Sequence, residues 1–352
     1  MKKYKAVRMG KKRVSFLLDV KGSIVLIGLS CILLLFTIIS MGMGEMKISP
    51  LTVLSVFFGG GTEIEVLVVQ AFRLPRILIA ILVGMSLAVA GGLLQGMIRN
   101  PLASPDIIGL TGGASVAVVS FLALFSDENN ALTVSIQWLP LSAFVGAALT
   151  ALLLYMLAWK NGISSLRFVL IGIGISALMQ ALTTLFMLIG PIYRASQANI
   201  WITGTVHGSS WEEVSLFAPV TLILLILSFI MVRHVNVQDL GEEVAIRVGS
   251  NVQKQRISLL VLCTALTGVG VSMAGGIGFV GLMAPHIARK MVGSAFGLLL
   301  PTAALIGAIL VLISDLIGRT LFAPLEIPAG VFTASIGAPY FIYLLVKSKK
   351  SA

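Results

Sequence analysis

Charge is what this sequence has least of. Only 11% of its 352 residues are Asp, Glu, Lys or Arg, against roughly 25% in soluble domains. With 57% hydrophobic residues and a mean hydropathy of +1.03, it cannot cover a water-facing globule with polar groups. Lipid is therefore expected as its solvent. Cysteine is nearly absent: Cys31 and Cys263 lie inside apolar runs, which leaves no disulfide framework and no metal-ligand spacing. The three histidines, His207, His234 and His286, form no ligand cluster. There is no G-x-x-x-x-G-K-[ST] phosphate loop. No Ser-His-Asp or Cys-His arrangement is apparent, so nothing points to an enzyme, a metal or a cofactor. Uphill transport would need energy from a partner ATPase or an ion gradient.

What is present is a series of long apolar runs. A helix needs about 20 apolar residues to cross the hydrocarbon core. By that ruler spans are expected near 24–43, 76–98, 107–125, 138–159, 168–190, 214–232, 257–274, 277–292, 298–317 and 328–346. The boundary around 274–278 is ambiguous, because Gly275, Gly276 and Gly278 fit either a turn or a broken helix. The first run is too long for the core of a signal peptide and is taken as a span. Trp138 and Trp159 bracket the fourth span, about 32 Å apart on a helix, as interfacial anchors would be.

The net charge of +11 could suggest nucleic acid, but its placement argues for a membrane. Eight of the 25 Lys and Arg lie within residues 1–21, and Lys347, Lys349 and Lys350 close the chain. An even span count puts both basic termini on one side, which the positive-inside rule makes the cytoplasm. Then only Lys47, Arg73, Arg76, Arg194 and Arg319 fall outside, five of the 25, whereas nine of the 14 acids do, Asp127, Glu128, Glu212, Glu213, Asp315 and Glu326 among them. The expected organisation is a single transmembrane domain over 1–352, with a basic cytoplasmic segment at 1–23 and a cytoplasmic loop at 233–256.

Acids within the spans are sparse. Asp106, after Asn100-Pro101 and Pro105, is expected to cap a helix start. Asp315 stands four residues before Arg319, a spacing that allows a bridge on one helix face. In the loop 233–256, Asp239 and Glu242 suggest a capping pair for a short helix that Gly249 would end. Val244 and Val248 give that helix an apolar stripe, better explained by a docking partner than by solvent. Arg73-Leu74-Pro75-Arg76 places two cations against the charge bias, as helix anchors or as a knob for an acidic partner. Glycines at 84, 91, 92 and 96 fit close helix packing. A faint echo sets Ala90-Gly91-Gly92 before Pro101 at the spacing that sets Ala274-Gly275-Gly276 before Pro285, as two five-span halves would.

Several stretches, taken in order, closely resemble the FecCD-type permeases of bacterial importers for iron–siderophores, haem and vitamin B12. They are Arg73-Leu-Pro-Arg76, Ala90-Gly-Gly-Leu-Leu-Gln95, Asn100-Pro-Leu-Ala-Ser-Pro105 with Gly109, Trp201 with Gly204, and Leu240-Gly-Glu-Glu243. Gly278-Phe-Val-Gly-Leu282 with Pro285-His-Ile-Ala-Arg289, and Glu326-Ile-Pro-Ala-Gly330 with Gly337-Ala-Pro339, complete the series. The resemblance implies an all-α polytopic membrane fold of about ten transmembrane helices, similar to the vitamin-B12-importer permease. It implies two cytoplasmic ATPase subunits, an extracytoplasmic substrate-binding protein or lipoprotein, and a second permease that is a copy or a homologue, with lipid as the remaining partner and no nucleic acid. It implies residence in the bacterial cell (inner) membrane, with ferric siderophore the leading cargo.

By position, the resemblance assigns binding-protein docking to Arg73, Arg76 and Arg319. It assigns the ATPase seat to Asp239, Leu240, Gly241, Glu242, Glu243, Ala245 and Gly249. It assigns the cytoplasmic gate to Asn100 and Leu102 with Ser165 and Leu166. The turn Gly293-Ser-Ala-Phe-Gly297 departs from the family's acidic-His-Arg pattern. The rival expectation is an ion-coupled secondary carrier working without an ATPase, for which Asp106 and Asp315 would be the acids to test.

Overall fold

In lipid each backbone N–H and C=O must be paired within the segment, so apolar runs of this length become helices. A computed structural model describes residues 4–9, 14–126, 132–160, 164–190 and 192–348. Of the charges counted above, Lys2, Lys3, Lys11, Lys12, Arg13, Asp127, Glu128, Lys349 and Lys350 lie outside the described residues.

The helices in chain order are α1 (Val20–Gly42), α2 (Pro50–Phe57), α3 (Glu63–Val66), α4 (Leu74–Ile98), α5 (Leu110–Leu124), α6 (Leu139–Ala158) and α7 (Ser165–Ile189). They continue as α8 (Ile192–Thr203), α9 (Trp211–Asp239), α10 (Glu242–Arg247), α11 (Val252–Ala274), α12 (Val280–Val292), α13 (Phe296–Thr320) and α14 (Ala329–Ser348). A π-helical stretch, Leu67–Arg73, joins α3 to α4, so Glu63–Ile98 is helical throughout. Each of the ten expected spans overlaps one of these helices. Among the described residues, seven helical segments are long and apolar enough to cross a membrane alone: α1, Glu63–Ile98, Ile136–Ala158, α7, α9, α11 and α13. The other three are short: Leu110–Leu124, Ala329–Leu344 and the 13-residue α12.

Two of these short helices begin at breaks that meet each other. The segment 99–109 is irregular, and so is 275–279 between α11 and α12. Asp106 Oδ2 accepts the backbone N–H of Phe279, the N-cap of α12, at 3.0 Å. Asp106 was expected to cap its own helix. It caps α12 instead, because the N-cap of α5 is Gly109. The ambiguity at 274–278 resolves as a broken helix whose ends are paired within the protein, where irregular backbone is tolerated. Thr205 donates to Ala274 O at 2.8 Å, and Gly330 to Gly204 O at 3.0 Å.

The central helix is α4, packed by α13, α11, α12 and α9; α5, α6 and α7 form a neighbouring group, and α14 lies on α13 and α12. The glycines of α4 act as expected at two crossings. A Cβ on Gly84 would stand 2.3 Å from Gly307 O, and one on Gly91 would stand 1.8 Å from Gly281 O. Lipid gives no hydrophobic drive to helix association, so such backbone approach is what holds the crossings. The Ala-Gly-Gly echo does not survive as an equivalence: residues 90–92 lie within α4, whereas 274–276 end α11.

Two boundaries differ from expectation. The segment 1–23 is not one piece, because strands Tyr4–Met9 and Val14–Asp19 pair antiparallel and α1 already starts at Val20. Asp19 ends this hairpin and caps α1, accepting Gly22 N at 3.1 Å. The loop 233–256 is shorter than its apolar gap, because α9 runs on to Asp239 and α11 starts at Val252. Polar residues such as His234, Asn236 and Lys254 thus extend helices beyond the apolar runs, as local backbone pairing allows.

Candidate functional site

The singled-out residues gather at two opposite ends of the bundle, a charged rim and a short connecting turn. The rim is built where α1 ends, α4 begins and α13 ends. Arg73 closes the π-helical stretch and turns its guanidinium inward, donating to Met41 O and Met46 O, and is 7% exposed. Arg319, in the last turn of α13 and also 7% exposed, donates to Ser40 O and to Ser40 Oγ. Arg76 holds Asp315 with two nitrogens, Nη2 at 2.8 Å and Nε at 3.0 Å from Oδ1. Its remaining nitrogen, Nη1, donates to Glu326 Oε2 at 3.0 Å. His207 Nδ1 lies 2.6 Å from the same Glu326 oxygen. The expected Asp315–Arg319 contact exists but is looser, at 3.7 Å.

The three arginines therefore do not stand as free outward cations. Each donates to oxygens of this chain, carbonyls for Arg73, carboxylates for Arg76 and Ser40 for Arg319, and Asp315 is 2% exposed. A buried guanidinium without such partners would carry a desolvation cost of several kcal/mol. What the rim shows to solvent is Glu326 and His207, beside the exposed apolar side chains of Leu321, Phe322 and Leu325. Spacing along the chain signalled only the Asp315–Arg319 pair. The partners Ser40, His207 and Glu326 carried no local signal.

At the other end, α9 and α11 are joined through α10. Gly241, at φ +119°, is the N-cap of α10 and offers no side chain. The expected capping pair is thus not formed: Asp239 is the last residue of α9, and Glu242 instead accepts from Arg256 Nη2 at 3.0 Å. The end of α10 is as expected. Gly249 sits at φ +80°, its N–H bonds Ile246 O at 2.9 Å, and Ser250 N bonds Ala245 O at 2.9 Å. That pair of bonds satisfies the last carbonyls, and the left-handed residue at its centre suits glycine. Asn251 then caps α11 through Lys254 N at 3.1 Å. Ala245 is fully buried under the turn, while Leu240, Val244, Ile246 and Val248 are exposed, Leu240 at 70%. Glu243 is exposed as well.

The gate positions flank this end. Arg99 is left-handed at φ +55° and closes α4. Asn100 Oδ1 then accepts Leu102 N at 3.0 Å, fixing a tight turn. The Arg99 guanidinium approaches Gly241, so this turn and α10 share one end. Ser165 opens α7 and Leu166 projects outward. Gly172, further along α7, packs on Ile108, which sets α7 beside the segment 99–109. The departing turn at 293–297 is anchored differently from a polar cluster. Phe296 N donates to Asn236 Oδ1 at 3.0 Å, and Arg289 lies over the buried Phe296 ring. Among the described residues no three His, Cys, Asp or Glu side chains are grouped to hold a metal ion.

This geometry has relatives. The sequence profile of the FecCD transport family matches residues 32–347. A Bacillus subtilis protein named as a siderophore transport system permease, YfhA, is 57% identical over 93% of this chain and 95% of its own. The Escherichia coli ferric enterobactin transport system permease FepG is 35% identical over 92% of this chain and 97% of its own. Among solved structures, a metal-chelate type ABC transporter in an inward-facing conformation superposes with a TM-score of 0.81 at 31% identity, covering 92% of this chain and 99% of that one.

Proposed function

The chain belongs to the FecCD transport family, and we propose from that premise that it is the permease subunit of an ATP-driven importer of ferric siderophore complexes. It is a multi-pass helical membrane protein. In this reading the whole chain is one permease domain of ten spans. Both termini lie in the cytoplasm, where most of the Lys and Arg fall. The observation that carries the reading is the turn 240–251. A six-residue helix is capped at its C-terminal end by its own backbone, yet exposes Leu240, Val244, Ile246 and Val248. A preformed apolar knob between two spans, in a chain without a phosphate loop, suits a cytoplasmic ATPase that supplies the energy.

The remaining roles follow from placement. The rim, with Arg73, Arg76 and Arg319 locked beneath Glu326 and His207, is the docking face for an extracytoplasmic binding protein. An acidic group on that partner competes with Glu326 for Arg76. ATP-driven closure of the ATPase pair moves the seat formed by Asp239, Leu240, Gly241, Glu242, Glu243, Ala245 and Gly249. Asn100, Leu102, Ser165 and Leu166 close the cytoplasmic end of a pathway shared with a second permease. The chain supplies the pathway and two states that docking and nucleotide bias. Siderophore as cargo is supported by the names of the relatives.

The test is a pull-down from detergent-solubilised native membranes, with ATPase activity assayed on the eluate. Recovery of an ATPase, lost in Leu240→Asp, supports the importer. Recovery of the chain alone under several mild detergents, with proteoliposomes of that chain moving substrate down an ion gradient, would replace it with a secondary carrier.

A further inference from the structure

Both α6 and α9 pack on α11, and at the rim end the gap between them is a cavity of about 940 Å³. Phe144 of α6, Leu216 and Phe217 of α9 and Met273 of α11 line it, with Gln137 and Glu212 at its mouth. A second cavity of about 400 Å³ continues between α6 and α11, lined by Ala148, Ala151, Tyr155, Leu260 and Val261. Phe144 lines both, so they form one groove that this ring divides. The ring seats against Gly268, where an added Cβ would come within 2.8 Å of it.

The dimensions and chemistry of the groove suit one class of ligand. From Leu139 to Tyr155 the α6 axis rises about 24 Å, longer than the ~15 Å depth of one leaflet, half of a ~30 Å hydrocarbon core. Trp138, exposed, and Trp201 line the groove at its rim end, and tryptophans mark the headgroup level. Below Phe144 the walls are apolar except at Tyr155 and Thr264. At the mouth the charge is negative. Glu213 turns back to cap α9, accepting Ser210 N at 3.0 Å. The exposed Glu212 carboxylate has no hydrogen bond or ion pair among the described residues. Among the described residues that line it, the one able to carry a positive charge, His207, is engaged by Glu326.

We propose that this groove is a binding site for a phospholipid whose headgroup carries a primary ammonium. The ammonium donates to Glu212 at the mouth, and one acyl chain runs past Phe144 toward Tyr155. A purely anionic headgroup would set its phosphate beside two carboxylates. A quaternary ammonium has the charge but no N–H to donate. The site lies on the α6–α9 side of the bundle and does not depend on the importer reading.

The experiment is native mass spectrometry of the full-length chain, titrated with phosphatidylethanolamine, phosphatidylcholine and phosphatidylglycerol of identical acyl chains. Phosphatidylethanolamine is expected to be retained about tenfold more tightly than the other two, the effect of one charge-assisted hydrogen bond. Glu212→Gln removes that preference. Ala148→Trp, which fills the groove, lowers retention, whereas Leu149→Trp, one residue along on the exposed face of α6, does not. Equal retention of all three lipids, or a preference that survives E212Q, overturns the proposal. The E212Q arm alone decides if A148W does not fold, because Glu212 is exposed.

Discussion

The rim and the connecting turn sit at opposite ends of one bundle and are held together by opposite means. At the rim, charged groups are buried and tied to residues far away in sequence: Arg76 and Asp315 are 239 positions apart. At the turn, backbone caps hold a short helix, the bonds are local, and the apolar side chains face outward. The sequence left Arg73 and Arg76 as helix anchors or as a knob for a partner, and the structure ties them to this chain's own oxygens. The turn, which carries less charge, leaves Leu240, Val244, Ile246 and Val248 exposed on one short helix and its flanks. Burial, more than residue type, thus separates what supports the fold from what is left for another protein.

That contrast predicts an ordered set of effects. The largest belongs to Asp315→Ala, which leaves Arg76 and Arg319 without their buried carboxylate. A loss of about 3–5 kcal/mol is expected, read as a markedly lower melting temperature in fluorescence-detected size exclusion. A loss near zero would mean the rim is not held by this pair. Next is Gly249→Ala at the turn. A left-handed alanine costs about 1–2 kcal/mol, so thermal stability falls modestly while the rim is untouched.

Glu326→Gln comes third. Glu326 is 37% exposed, and exposed pairs contribute about 0–1 kcal/mol. Stability stays close to wild type, while affinity for the proposed binding protein rises because Arg76 Nη1 is released from the Glu326 charge, Asp315 still holding the other two nitrogens. Unchanged affinity in a solution binding assay would show that Glu326 does not compete for Arg76. The smallest stability effect is that of Leu240→Asp or Val248→Asp, within about 0.5 kcal/mol because both side chains already face outward. These variants nonetheless lose the ATPase on pull-down. A turn variant that unfolds the chain would erase the distinction between the two ends.

Much of the fold was legible in the sequence. Each expected span overlaps a helix, because a run of apolar residues in lipid has one way to pair its backbone. Gly249 was legible as a helix end, since the left-handed position favours glycine and the motif is local. The extent of α9 and α11 was not, because polar residues continue a helix once it has left the hydrocarbon region. Asp239 and Glu242 have the spacing of a capping pair, but Arg256 on the next helix draws Glu242 away. Asp106 was legible as a cap, though not as the cap of α12, which lies 173 residues further on.

The sequence by itself determined the solvent and the helices, both properties of residues within about 20 positions of each other. Only the tertiary structure decided which partner each buried charge takes. The Arg76–Asp315–Glu326 network forms because glycine contacts at Gly84 and Gly307 bring α4 and α13 together. A helix-to-helix approach of that kind is written in no local spacing, because it depends on which surfaces meet after the helices have formed.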